Sequence, residues 1–257
     1  MRFLVAALCL GVSACAGGAI NDVFLAPHSG AAAISATSPS IVAAVADPRR
    51  PDADRQRDAA RHPADTLAFA GIRPGAKVGE FLPGGGYFTR LFAVAVGDGG
   101  KVYPVIRPPE TASRYEHAVG EDYANVQMVR QNLASLSFPE PLDVIFTAQN
   151  YHDLHIAEEN FDAPDAINRS VFNALKPGGL YVIVDHSAPD GSGTTRTSEL
   201  HRIDVAVVRQ ELEAAGFVYD GSSDVLRNPQ DPRTAGVFDP SIRGHTDQFM
   251  LRFRKPG

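Results

Sequence analysis

Lys77-Val-Gly-Glu80-Phe-Leu-Pro83-Gly84-Gly85-Gly86 is the stretch on which the reading of this chain turns. Five or six residues of mostly apolar character end in an acid and then in three consecutive glycines. The next ten, 87–96, carry apolar side chains at helical spacing. A strand that passes through glycines straight into a helix has a tight turn at its carboxyl end. There the backbone comes close to whatever lies above, because no β-carbon stands in the way. Working outward, strand patterns recur at 101–106, within 125–129, at 142–147, 180–184 and 217–219, and finally at 248–254. Helices are expected at 163–175 and 202–215, the latter with Ile203, Val207, Val208 and Leu212 on one side. Upstream come a charged helical stretch at 54–61 and a short helix at 64–70, with Pro63 in its first turn. Lys176-Pro-Gly-Gly179 reads as a turn. Strands alternating with helices predict an α/β domain whose largely parallel sheet is covered on both faces. Residues 226–246 show no helix, and a loop that long in a compact domain is expected to be functional, as a lid.

Composition narrows the classes. The chain has 257 residues, 44% hydrophobic and 21% charged, with a net charge of -6. That is ordinary globular usage, and the absence of a basic run argues against nucleic acid as a partner. Both cysteines, Cys9 and Cys15, fall in the first fifteen residues, so the expected domain has no disulfide, thiolate nucleophile or cysteine metal site. Arg2, the apolar run from Phe3 to Val12 and the sequence Val12-Ser13-Ala14-Cys15 form a signal-peptide pattern resembling a bacterial lipobox. Residues 1–15 are therefore expected to be a lipoprotein-type signal with Cys15 as the lipidation site. The only membrane contact would be that anchor, and the location periplasmic. Residues 16–50, rich in Ala, Gly, Ser and Pro, read as a flexible linker, which leaves 51–257 as the folded domain.

The glycine stretch resembles the nucleotide-binding loop of class I S-adenosylmethionine-dependent methyltransferases, acid-x-Gly-x-Gly-x-Gly. Glu80 matches the acid, Gly84 the second glycine and Gly86 the third. Leu82 stands in place of the first, and Pro83 stiffens the turn. Asp143 to Thr147 is similar to the family's fourth strand, Leu175-Lys-Pro-Gly-Gly-Leu180 to its entry to the fifth, and Ala214-Ala-Gly-Phe217 to its entry to the sixth. The chain as a whole most resembles a group of exported bacterial proteins predicted to be methyltransferases. The resemblance implies a Rossmann-like, doubly wound, mostly parallel seven-stranded sheet with an antiparallel last strand. It implies S-adenosylmethionine as cofactor, held by Glu80, Pro83, Gly84, Gly85, Gly86 and Asn150. One position departs from the pattern. Ile106 ends the second strand where the family has an acid gripping the ribose, and losing such a contact costs about 1.5–3 kcal/mol.

Gln149-Asn150-Tyr151-His152-Asp153 leaves the fourth strand at the carboxyl edge. A histidine there has the reach and near-neutral pKa to take a proton from an acceptor hydroxyl. His152-Asp153 resembles the His-Asp pair of plant-type small-molecule O-methyltransferases, which implies His152 as general base and Asp185 as its orienting partner. His152, Asp153, His155 and His186 are chemically suited to a metal, but their spacing matches no ligand signature and none is expected. His201, Arg202, Arg233, Arg243 and His245 read as charges at helix and loop ends, with binding of an anionic substrate as the alternative. Two functions follow: a methyltransferase acting on a small hydroxylated molecule, or an exported non-catalytic protein that uses the same fold to bind a small ligand.

Overall fold

The computed structural model describes residues 35–108 and 122–257. The signal and lipidation expectations at residues 1–15, Cys15 included, lie outside the described residues. The first described helix, α1 (Pro39–Ala46), corrects the expected linker. Ile41 and Ala44 are fully buried in the core on one face of the sheet, so the folded domain includes residues assigned to a tether. An Ala-rich helix of eight residues has a weak pattern of its own; the sheet beneath it supplies its apolar partners. Two short helices, α2 (Asp52–Arg55) and α3 (Asp58–Arg61), and then α4 (Pro63–Phe69) complete this amino-terminal cap.

The sheet follows with β1 (Lys77–Phe81), α5 (Tyr87–Val96), β2 (Lys101–Ile106), β3 (Val129–Arg130) and β4 (Leu142–Ala148). Next come α6 (Pro164–Ala174), β5 (Leu175–His186), α7 (Thr197–Leu200) and α8 (Val205–Ala214), then β6 (Val218–Ser223) and β7 (Gln248–Arg254). The strand order is β3-β2-β1-β4-β5-β7-β6. Neighbours pair in parallel as far as β5, and β7 runs antiparallel between β5 and β6. The expected seven-stranded, mostly parallel sheet with an antiparallel last strand is the one observed.

Alternation along the central strands splits the core in two. Val144, Phe146, Val182 and Val184 face α1, α4 and α5, whereas Ile145, Tyr181 and Ile183 face α6 and α8. Such strands are apolar on both sides because both sides are covered. The Lys176-Pro-Gly-Gly179 turn survives as an irregularity inside β5. Leu142 pairs with Leu175 and Val144 with Leu180, so four residues loop out between the two pairs. Strand order reverses between β1 and β4, and in sheets of this kind the crevice above that switch point is where ligands lie.

Candidate active site

Over the carboxyl ends of β1 and β4 the backbone is bent by three left-handed residues, Leu82 (φ 50°), Gly84 (φ 55°) and Gly86 (φ 78°). Leu82, at the place of the missing first glycine, thus adopts a conformation glycine takes freely, at a cost of order 1 kcal/mol. A β-carbon at Gly84 or Gly85 would meet no atom within 4 Å, so this loop borders open space. Arg90 braces it from below, bonding the Gly85 carbonyl at 2.8 Å and the Asp54 carboxylate of α2. Asn150 ties the loop to β4. Its amide donates to the carbonyls of Ala148 (2.8 Å), Leu82 (3.3 Å) and Phe81 (3.4 Å), which spends on the backbone the donors expected for a cofactor.

Glu80 turns toward the first turn of α5. It is buried and accepts a hydrogen bond from the Thr89 hydroxyl at 2.5 Å. Burial pushes its pKa up to about 8, with Thr89, Arg90 and Arg61 pulling the other way. Ile106 is fully buried at the end of β2, as the sequence implies.

Arg61 escaped the sequence reading. Its guanidinium lies over the Tyr87 and Phe88 rings, 4.7 and 5.4 Å from their centroids, and donates to Gln149 Oε1 at 3.0 Å. No carboxylate among the described residues forms an ion pair with it. Burial, with help from Arg57, drags its pKa down to about 10. A cation in a cavity without a counter-ion is a place for an anion. A small hollow at Arg61 is lined by Phe88, Gln149, Val184, Leu226 and Gln248. A second of similar size lies among Phe81, Leu82, Asn150, Tyr151 and Leu154. The open glycine loop and the unpaired cation suit a ligand with an adenosyl group at one end and a carboxylate at the other. Each hollow is far smaller than the ~300–1,000 Å³ usual for such ligands.

Beyond β4 the chain makes a single 3-10 turn, His152–His155, that buries His152. His152 Nδ1 lies 2.8 Å from Asp185 Oδ1, and the His152 backbone N–H donates to Asp185 Oδ2 at 2.8 Å. Both expected partners therefore meet, with Asp185 fully buried at the end of β5. Burial opposes charge on the ring, yet Asp185 and Asp153 prevail and push the His152 pKa up to about 10. Asp185 is held below the usual carboxylate range, burial notwithstanding, chiefly by His152. His186 faces elsewhere, bonded through Nδ1 to Thr246 and pushed down to about 4 by burial. His155 lies 3.3 Å from Glu211.

The long segment after β6 does not have the contacts of a loose lid. Arg202, fully buried, pairs with the equally buried Asp231 at 2.8 Å, and Arg227 and Arg233 both reach Asp247. Arg202 and Arg233 are thus committed to internal carboxylates rather than standing as surface charges. The backbone N–H of Val237 donates to the Leu200 carbonyl, fixing the segment beside His201. Of the six described non-glycine residues with left-handed backbone, Leu82, Gln149 and His201 all stand at this site. Strain of that kind gathers where the surrounding structure holds side chains for a purpose.

Sheet order, glycine turn and crevice together define a Rossmann-like protein of the methyltransferase type. No family model matches the chain. The ubiquinone/menaquinone biosynthesis C-methyltransferase UbiE of Shewanella woodyi is 28% identical over 199 residues, 73% of this chain and 67% of that protein. An S-adenosylmethionine-dependent methyltransferase from Aquifex aeolicus superposes with a TM-score of 0.57 at 18% identity, covering 80% of this chain and 98% of its own. The cyclase SpnF superposes with a TM-score of 0.54 at 19% identity, over 79% and 81%. The chain is thus similar in sequence to S-adenosylmethionine-dependent methyltransferases and shares the fold of class I members.

Proposed function

We propose that this protein methylates a small molecule with S-adenosylmethionine as donor, at a hydroxyl brought against His152. When bound, S-adenosylmethionine supplies an electrophilic methyl carbon. Arg61 offers a cationic pole for its carboxylate, and the backbone of residues 82–86 offers an unobstructed floor for its adenosyl end. Asp185 accepts from Nδ1 of His152, and Nε2, 3.0 Å from Asp153, takes the acceptor's proton when the ring is neutral, a form that grows as pH rises toward its pKa of about 10. In-line displacement needs donor and acceptor aligned, and a ring held on two sides provides that alignment.

The observation that carries this reading is the buried His152–Asp185 pair at the carboxyl ends of β4 and β5. The experiment is calorimetric titration of the protein with S-adenosylmethionine and S-adenosylhomocysteine, alongside methyl transfer to a panel of hydroxylated small molecules. His152→Ala should abolish turnover and leave donor affinity nearly intact; equal loss of both would show a structural residue. The UbiE relatives are named for C-methylation, which makes a carbon acceptor the second reading, and mass spectrometric fragmentation of the product separates the two. SpnF shows that this fold also houses a cyclase. Absence of binding at millimolar donor would therefore leave the non-catalytic, ligand-binding alternative standing.

A further inference from the structure

Three side chains at the mouth of this site converge on one point. His152 Nε2 lies 3.0 Å from Asp153 Oδ1 and 3.3 Å from His201 Nδ1, and the last two are 3.7 Å apart. We infer that His152, Asp153 and His201 bind a divalent transition-metal ion, with zinc the best match to the donor set. A triangle with these edges has a point about 2 Å from all three atoms, which is the length of zinc–imidazole and zinc–carboxylate bonds.

Hydrogen bonding alone satisfies the cluster poorly. With Nδ1 of His152 given to Asp185, a single proton on Nε2 is shared between Asp153 at 3.0 Å and His201 Nδ1 at 3.3 Å, while His201 and Asp153, 3.7 Å apart, do not bond each other. Removing that proton turns two lone pairs toward each other at 3.0 Å. A cation satisfies all three atoms at once, and two neutral imidazoles with the Asp153 and Asp185 carboxylates balance a charge of +2.

The surroundings match a metal centre in two further ways. Asp185 holds the far nitrogen of His152, the carboxylate–histidine arrangement that orients metal-ligating imidazoles. His201 keeps its left-handed backbone (φ 53°) at the end of α7 and packs edge-on against Phe238 at 5.0 Å. The His152 side chain is 4% exposed but those of Asp153 and His201 are 23% and 29% exposed, so the outer side is open. Three protein ligands with one open position is the pattern of catalytic rather than structural zinc. The sequence pattern missed this centre because it grouped His152 with His155 and His186, while the third donor arrives from another element 48 residues beyond Asp153.

On the methyltransferase reading, and resting on it, the open position takes the acceptor's hydroxyl. The ion then lowers that hydroxyl's pKa, and Nε2 of His152 serves as ligand instead of base. Binding of the metal does not depend on that reading. Chelator-treated full-length protein should take up one equivalent of zinc sulfate and, with cobalt chloride, show the visible bands of a tetrahedral site. Magnesium chloride should not compete, as it favours all-oxygen sites. His201→Asn keeps the left-handed preference and should weaken zinc about a hundred-fold. Asp185→Asn should weaken it about 10–100-fold. S-adenosylhomocysteine titrated into the same samples reads the other proposal separately. Its binding without zinc uptake, or zinc affinity indifferent to His201→Asn, would overturn the metal site. Zinc uptake without S-adenosylhomocysteine binding would support the metal site and sink the methyltransferase reading alone.

Discussion

Arg61 and Glu80 illustrate how little a residue's type says about its task. Arg61 belongs to a charged helical stretch, yet among the described residues its guanidinium forms no ion pair and bonds Gln149 alone, with Asp54 and Glu80 acting only from a distance. Removing it relieves an unpaired buried charge but also loses stacking on Tyr87 and Phe88, so folding should change little. Arg61→Ala is expected to leave the melting temperature nearly unchanged. It should weaken S-adenosylhomocysteine by ten-fold or more, the worth of a charge-assisted contact, as read by scanning and titration calorimetry. Glu80 is the converse. The folded carboxyl keeps its proton up to about pH 8, whereas the unfolded one releases it near 4.5. Between those values the folded state binds more protons, so this group's stabilisation is complete at low pH and is lost as pH rises through 8. Glu80→Gln should flatten that loss, leaving the variant more stable than the parent at pH 9 by on the order of a few kcal/mol. Denaturant titrations at pH 5, 7 and 9 make the comparison, and parallel curves for the two proteins would refute it.

Elements were legible where their own pattern was strong. The strand at Lys101–Ile106, the helix at Tyr87–Val96 and the strand at Gln248–Arg254 lie where apolar spacing put them. The helix at Pro39–Ala46 was not legible, because Pro39 and seven residues of Ser, Ala, Val and Ile carry no charged face to set a period. What makes it a helix is the sheet under Ile41 and Ala44. Ile41→Ala should therefore destabilise the whole domain by about 2–4 kcal/mol, measured by chemical denaturation. A change below 0.5 kcal/mol would return these residues to the tether. The segment at 226–246, expected to be a lid, is ordered for a related reason. Its order comes from Arg202–Asp231 and the two arginines on Asp247, contacts between residues too far apart in the chain for any local pattern to reveal.

At the scale of the molecule, the seven-stranded order places β1 and β4 side by side, so the loop at residue 82 and the turn at residue 152 follow neighbouring strand ends. The signal pattern at Met1 to Cys15 proposes where such a molecule works. Fractionation of the native protein beside Cys15→Ser should move it from the membrane to a soluble fraction, and recovery of both in the cytoplasm would end the export proposal.

Fold class was written in local features: alternation along strands, spacing along helices, and glycines at the one turn that must pass close beneath a ligand. These need only near neighbours, so a linear reading finds them. The pairing of His152 with Asp185 was foreseen through family resemblance. The arrival of His201, the burial of Glu80 and the solitary charge of Arg61 were not. Each depends on which distant segments the sheet brings together and on how much water is left between them, and only tertiary packing decides that.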